Sequence, residues 1–238
     1  MKNAPSDPRG DLPQIIVNFE KLYEGNLVEY FQSFFLLNKG INNPYHNFRH
    51  GAHILFLCHE GARFHKRDLN ARRIRNLMIA AIFHDYDHCG KGGDDSVNIA
   101  RAIQGLSDTV LPEDLPFLSD IELLLRGTQY PYVLPDDDLP LEGLILRDAD
   151  LMQAFSVAWI QQVIFGLAAE WGKSPIEVLK MQKTFLGGVS FKTDWGRYAV
   201  PEAAVKLKIN EADALFDLLI RAPALSEEIQ RVQGTFSE

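Results

Sequence analysis

All seven histidines of this 238-residue chain fall between His46 and His88, and aspartates stand beside them. They form two clusters, Tyr45-His46-Asn47-Phe48-Arg49-His50 and His84-Asp85-Tyr86-Asp87-His88. Residues four apart share one face of a helix, so on helices His46 and His50 aim at a common spot, as do His84 and His88. Imidazoles with an adjacent carboxylate, joined by an aspartate from another helix, make a mixed nitrogen and oxygen ligand set. Such a set suits zinc, manganese or iron. The later stretch Arg147-Asp148-Ala149-Asp150-Leu151 holds two candidates for that last ligand. Two residues apart on a helix they point in different directions, so only one can enter the site.

Taken together, the two clusters and Asp150 resemble the H…HD…D pattern of the HD-domain phosphohydrolase superfamily. Within it, YHNFRHGAHIL is similar to the YHNxxH signature of class I cyclic nucleotide phosphodiesterase catalytic domains, and HDYDHCG to their HDxxHxG. The stretch from Leu125 to Gln129, the helix around Leu146 to Leu151, and Met181 to Leu186 extend the likeness in patches across roughly residues 45–215.

The resemblance implies that His50, His84, Asp85 and Asp150 bind a first, zinc-like or iron or manganese ion, with Asp85 bridging to a second, magnesium or manganese ion. It makes His46 the general acid and His88 a histidine that backs the ligands without touching metal. Gln182 and Phe185 correspond to the Gln-x-x-Phe that grips a purine, and Tyr45 lies at the substrate. The expected reaction is hydrolysis of a 3′,5′-cyclic nucleotide to the nucleoside 5′-monophosphate through a metal-activated hydroxide. Metal coordination lowers the pKa of water from 15.7 toward about 7 and holds phosphoryl oxygens in line. An imidazole with a pKa near about 6.5 can protonate the leaving oxygen close to neutrality.

Other branches of the superfamily place further histidines between the HD pair and the final aspartate, and this chain has none after His88. A second cation held by carboxylate and water suits magnesium or manganese better than a redox iron pair. Hydrolysis therefore ranks above oxygenation. Two alternatives stay open: a phosphohydrolase for another nucleotide or phosphomonoester, and a non-catalytic nucleotide sensor. The loop Lys91-Gly92-Gly93-Asp94-Asp95-Ser96 departs from the phosphodiesterases, with Asp95 as a stand-in for their next acidic residue.

Helical periodicity dominates, and nothing shows the sustained alternation of a half-buried strand. The expected fold is all-α, a single-domain multi-helix bundle: an N-terminal helical segment over 1–44, a core over 45–220 and a tail over 221–238. The pattern predicts helices near 13–23, 26–38, 47–65, 70–88, 96–106, 119–129, 140–154, 156–171, 175–190 and 200–220. Ser119 with Glu122, and Ser174 with Pro175 and Glu177, read as capping boxes. Gly40, Asn43-Pro44, Gly90 to Gly93 and Pro131 to Pro140 mark loops.

A net charge of −8 disfavours a non-specific nucleic-acid binder, which needs a basic face. The basic run Arg63 to Arg75 is expected to be a solvated face, and Asp136-Asp137-Asp138 a solvated loop. Two cysteines, Cys58 and Cys89, are too few for a disulfide framework. No run reaches the roughly 18 apolar residues of a membrane span, and the start lacks a signal-peptide stretch. The expected protein is cytoplasmic, with a small-molecule nucleotide as partner and neither nucleic acid nor membrane. His53, His59 and His65 are assigned to packing. Gly166 to Ser174 imitates a phosphate loop, but five residues separate its glycines and it follows a helix, so that reading is rejected.

Overall fold

The computed structural model describes residues 12–221. Among them the secondary structure is all-α, in ten α-helices and no strand. These are α1 (Val28–Leu37), α2 (Phe48–Phe64), α3 (Ala71–Phe83), α4 (Ser96–Thr109), α5 (Leu118–Gly127), α6 (Leu141–Met152), α7 (Gly166–Trp171), α8 (Pro175–Gly188), α9 (Asp194–Ala199) and α10 (Glu202–Arg221). The expected tail lies outside the described residues apart from its first position. No single described helix is long and apolar enough to cross a membrane.

α3 is the axis of the fold. Every residue from Ile74 to Phe83 is buried, as expected for a helix surrounded by others on all sides. α1, α2, α5 and α6 pack around it, and Leu77, Met78, Ile79 and Phe83 are almost wholly removed from water. A second apolar cluster joins Trp159, Val163, Ile164 and Leu167 to Val178, Leu179 and Leu186 of α8 and Ala212 of α10.

Several sequence expectations are corrected. Residues 14–20 form turns, not a helix; they are held by Asn18, which accepts from Leu22 N–H and donates to Gly25 O, and Ile16, Tyr23, Leu27, Tyr30 and Phe34 still reach the core. α3 ends at Phe83, not at His88. Residues 156–171 contain a π-helical stretch, Ile160–Phe165, before α7. Ser119 lies inside α5, which runs on directly from the 3-10 turn Leu115–Phe117, so its capping box does not form. The Ser174–Glu177 box does form, with both reciprocal bonds.

Arg63, Lys66 and Arg67 of the basic run are exposed, but Arg72, Arg73 and Arg75 are not a solvated face. Arg75 is 2% exposed and donates to both carboxylate oxygens of fully buried Asp114, at 2.7 Å each. Arg72 joins the same carboxylate, Tyr30 donates to it at 2.8 Å, and Arg73 pairs with Glu142. Arg75 also donates to Glu24 O and Asn26 O, pinning the N-terminal segment to α3. Asp136 is likewise engaged, by Arg147 and Lys192.

Candidate metal centre

Neither histidine pair lies on one helix, and this decides what each ring does. Asn47 is the N-cap of α2, its side chain accepting from Arg49 N–H at 2.8 Å and His50 N–H at 3.3 Å. His46 therefore precedes the helix while His50 sits in its first turn. On the second strip, His84 is the C-cap of α3 and the chain then turns sharply, with Asp87 at φ 58° and Gly90 at φ 67°. Tertiary bonds enforce that turn. Asp87 accepts from Lys39 N–H at 2.7 Å, Asn38 accepts from Asp87 N–H at 3.0 Å, and Asn43 donates to His88 O at 2.9 Å. A Cβ on Gly40 would stand 2.9 Å from His88 O, so only glycine lets the two loops close this tightly.

The consequence is two clusters, each drawing one histidine from each pair. In the first, Asp85 Oδ2 lies 2.9 Å from His50 Nε2 and 3.1 Å from His84 Nε2. The two Nε2 atoms are 3.1 Å apart, and Asp150 Oδ1 of α6 lies 3.4 Å from His50 Nε2. Ligands at about 2.1 Å from one ion are separated by roughly 3.0–3.4 Å, so these atoms match the edges of a coordination polyhedron. His84 Nδ1 donates to Ala81 O at 2.9 Å, which leaves Nε2 as its lone-pair nitrogen. Two buried imidazole nitrogens 3.1 Å apart beside two carboxylates share a proton when the site holds no ion, and the same donor set could hold a divalent metal.

The charges agree. Burial lowers the pKa of His50, but hydrogen bonds and charge from Asp150 and Asp85 outweigh it and push it up to about 10. His84 is raised by Asp85 against the same burial, and burial of Asp85 is overcome by His84, His46 and His50, which hold its carboxyl well below the usual range.

In the second cluster, Glu170 of α7 grips the Tyr45-His46 turn. Its Oε2 accepts Tyr45 N–H at 2.9 Å and His46 N–H at 3.1 Å, and its Oε1 accepts from His46 Nδ1 at 2.5 Å. His88 stacks on His46 with ring centroids 3.6 Å apart, accepts from Gly90 N–H through Nδ1, and lies against Asn98 through Nε2. Burial and the neighbouring His46 bring His88 down to about 4, so it is neutral at neutral pH. His46, His88 and Glu170 also lie within ligand distance of one another. Their rings are nearly parallel, at 25°, so in-plane lone pairs do not converge, and Gly90 already occupies His88 Nδ1. Of the two groups, the atoms of the first are the better placed to share one ion.

The polar residues of α6 have separate tasks. Arg147 donates to Gly127 O, Leu134 O and Asp136, fixing the loop before α6. Asp148 accepts from Lys192 N–H, Thr193 N–H and Thr193 Oγ1–H at 2.7–2.8 Å, anchoring the start of α9. Asp150 alone reaches the metal cluster.

Both clusters face a cavity of about 650 Å³, lined among others by Tyr45, His46, Asp85, His88, Asp150, Gln182 and Phe185. Gln182 is 7% exposed and its Oε1 has no hydrogen-bond partner among the described residues, while Phe185 meets Tyr130 edge-on at 5.8 Å. Burial, then the charges of Asp150, Asp85 and Glu170, keep the Tyr45 phenol protonated. Asp95 lines the same cavity, but its oxygens accept from Tyr130 N–H at 2.8 Å and Asn98 at 3.1 Å. The residue that sequence reasoning missed is Glu170. Its only signal was a lone carboxylate in the apolar run Ile164 to Trp171. Comparison with models of known families, with curated proteins and with solved structures gives no match.

Proposed function

We propose that this chain is a metal-dependent phosphodiesterase of the HD-domain type that hydrolyses a 3′,5′-cyclic nucleotide to the nucleoside 5′-monophosphate. The observation that carries the reading is the pairing of a metal-type ligand set, His50, His84, Asp85 and Asp150, with a carboxylate-held imidazole, His46, on one cavity wall. His50, His84, Asp85 and Asp150 would hold a zinc-like, iron or manganese ion, and Asp85 would also serve a magnesium or manganese ion; bound there, the ions would supply Lewis acidity toward phosphoryl oxygens and a water of lowered pKa.

Glu170 fixes the tautomer of His46 by accepting from Nδ1 and stabilises the charge on a protonated ring. The other nitrogen, Nε2, has no hydrogen-bond partner among the described residues and delivers its proton to the leaving ribose oxygen. Neutral His88 forms the flat floor that keeps the His46 ring in place. At the far side, the unpartnered Gln182 Oε1 accepts an exocyclic amine or ring N–H of the base, and Phe185 gives it an apolar face.

The test is a screen of metal-loaded protein against 3′,5′-cyclic AMP and cyclic GMP with manganese, magnesium and zinc, read by chromatography of products. The expected product is the 5′-monophosphate, with turnover in His46→Asn reduced about 10²–10⁴-fold while nucleotide binding persists. Cleavage of some other nucleotide instead, with neither cyclic nucleotide touched, replaces this reading by the broader phosphohydrolase one. Tight binding without turnover of any nucleotide makes the chain a sensor.

A further inference from the structure

The reaction at the metal cluster leaves two cations on the cavity wall without a task. Lys91 and Lys173 both line the cavity, are exposed, and form no ion pair among the described residues. Its other charged wall groups, Asp85, Asp95 and Asp150, are all carboxylates. Glu177, the acid whose pKa Lys173 helps to lower, has its Oε2 engaged by Ser174 N–H and Oγ–H.

The two lysines stand 82 positions apart in segments that the fold brings together. A Cβ added at Gly92 would stand 3.5 Å from Trp171 Cδ1, so the loop carrying Lys91 lies against the ring two positions before Lys173. Both segments are held firmly. The Lys91 loop is fixed through Gly90 N–H to His88 and Cys89 N–H to Asn98 at 3.0 Å, and Lys173 follows α7, which Glu170 ties to His46, through a left-handed Gly172 at φ 63°. Lysines on one edge of a cavity, neither held in an ion pair among the described residues, are a binding edge for a compact anion.

A cyclic mononucleotide has only one phosphate, and under the reading above it lies at the metal cluster with its base toward Gln182 and Phe185. We propose that this phosphodiesterase prefers, over a cyclic mononucleotide, a nucleotide carrying a second phosphate outside the bond that is broken, and that Lys91 and Lys173 bind that phosphate. This rests on the phosphodiesterase reading for the position of the first phosphate. The shared chemistry covers a second diester within a cyclic dinucleotide and a terminal phosphate on a linear one.

The experiment compares three ligands of the metal-loaded full chain: a 3′,5′-cyclic mononucleotide, a cyclic dinucleotide and a 5′-phosphorylated linear dinucleotide. Turnover gives kcat/KM, and calorimetry on His46→Asn protein gives Kd without hydrolysis. At least one two-phosphate ligand is expected to be favoured over the mononucleotide by about tenfold in both readouts, the two arms telling the phosphate sources apart. Lys91→Gln/Lys173→Gln is expected to abolish that ratio, and Lys206→Gln on α10 to keep it. A ratio near one in the wild type overturns the proposal while any turnover leaves the hydrolase reading standing. A ratio that survives in the double variant also overturns it. A lysine-dependent preference in calorimetry with no turnover of any ligand keeps the anion site and sinks the hydrolase reading.

Discussion

Glu170 acts on His46 through both of its oxygens, orienting the backbone with one and the imidazole with the other. Removing its charge while keeping its shape separates these contributions. Glu170→Gln is expected to lower kcat about 10²-fold with the bound metal content unchanged, measured by steady-state kinetics alongside elemental analysis. Loss of metal in parallel with activity would make Glu170 a structural support of the whole site. A second contrast lies within α6. Asp150→Asn should weaken metal binding and leave the denaturation midpoint of metal-free protein nearly unchanged. Asp148→Asn should lower the unfolding free energy of that protein by about 1–3 kcal/mol, because it disturbs a buried acceptor of three bonds from Lys192 and Thr193. The ligand residue types were legible in sequence because metal chemistry restricts them to imidazole and carboxylate. Glu170 was not, since a single acid in an apolar stretch carries no spacing signal, and its meaning comes only from a contact 124 positions away.

Helix α3 delivers His84 and Asp85 to the site at one end and is tied to the N-terminal segment at the other. That tie is the Arg75, Arg72 and Tyr30 network on Asp114. Burial raises the Asp114 pKa, but hydrogen bonds from Arg75 and Tyr30, the Arg75 charge and a bond from Arg72 outweigh it and lower it below 3.8. A carboxylate with a folded pKa below its unfolded value contributes stability that is present above the unfolded pKa and lost as pH falls through the folded one. Asp114→Asn is therefore expected to cost about 3–5 kcal/mol at neutral pH, and less at pH values below about 3.8, in denaturant titrations. An equal cost at all pH values would show that the network's charge is irrelevant. Helix bodies were readable from their 3.6-residue periodicity, as α2, α4, α6 and α8 show. The end of α3 was not, because nothing in His84-Asp85-Tyr86-Asp87 breaks a helix locally. Bonds from Asn38, Lys39 and Asn43, some 45 positions earlier, force the turn. The basic run was misjudged for a related reason: its acid partners, Asp114 and Glu142, are remote in sequence.

Across the whole molecule, residues from the end of α3, the start of α2 and the last turn of α6 meet where the two apolar clusters adjoin. The cavity is walled by Leu151 on one side and by Ala154, Val163 and Leu167 on the other. A metal bound there links elements that otherwise carry repelling or unsatisfied groups, so it should stabilise the fold. Loading to about 100 times Kd is expected to add about 2.7 kcal/mol, seen as a rise in thermal midpoint that a chelator reverses and that His50→Ala lacks. A midpoint indifferent to metal and chelator would speak against a structural coupling of the ion. The central claim, that one divalent ion is held by side chains from three helices, is tested most directly by anomalous diffraction from manganese-loaded crystals. The account expects a strong peak bounded by His50 Nε2, His84 Nε2, Asp85 and Asp150, with or without a second peak beside Asp85. Fully loaded crystals with no peak there, or with the ion between His46, His88 and Glu170 instead, would contradict it.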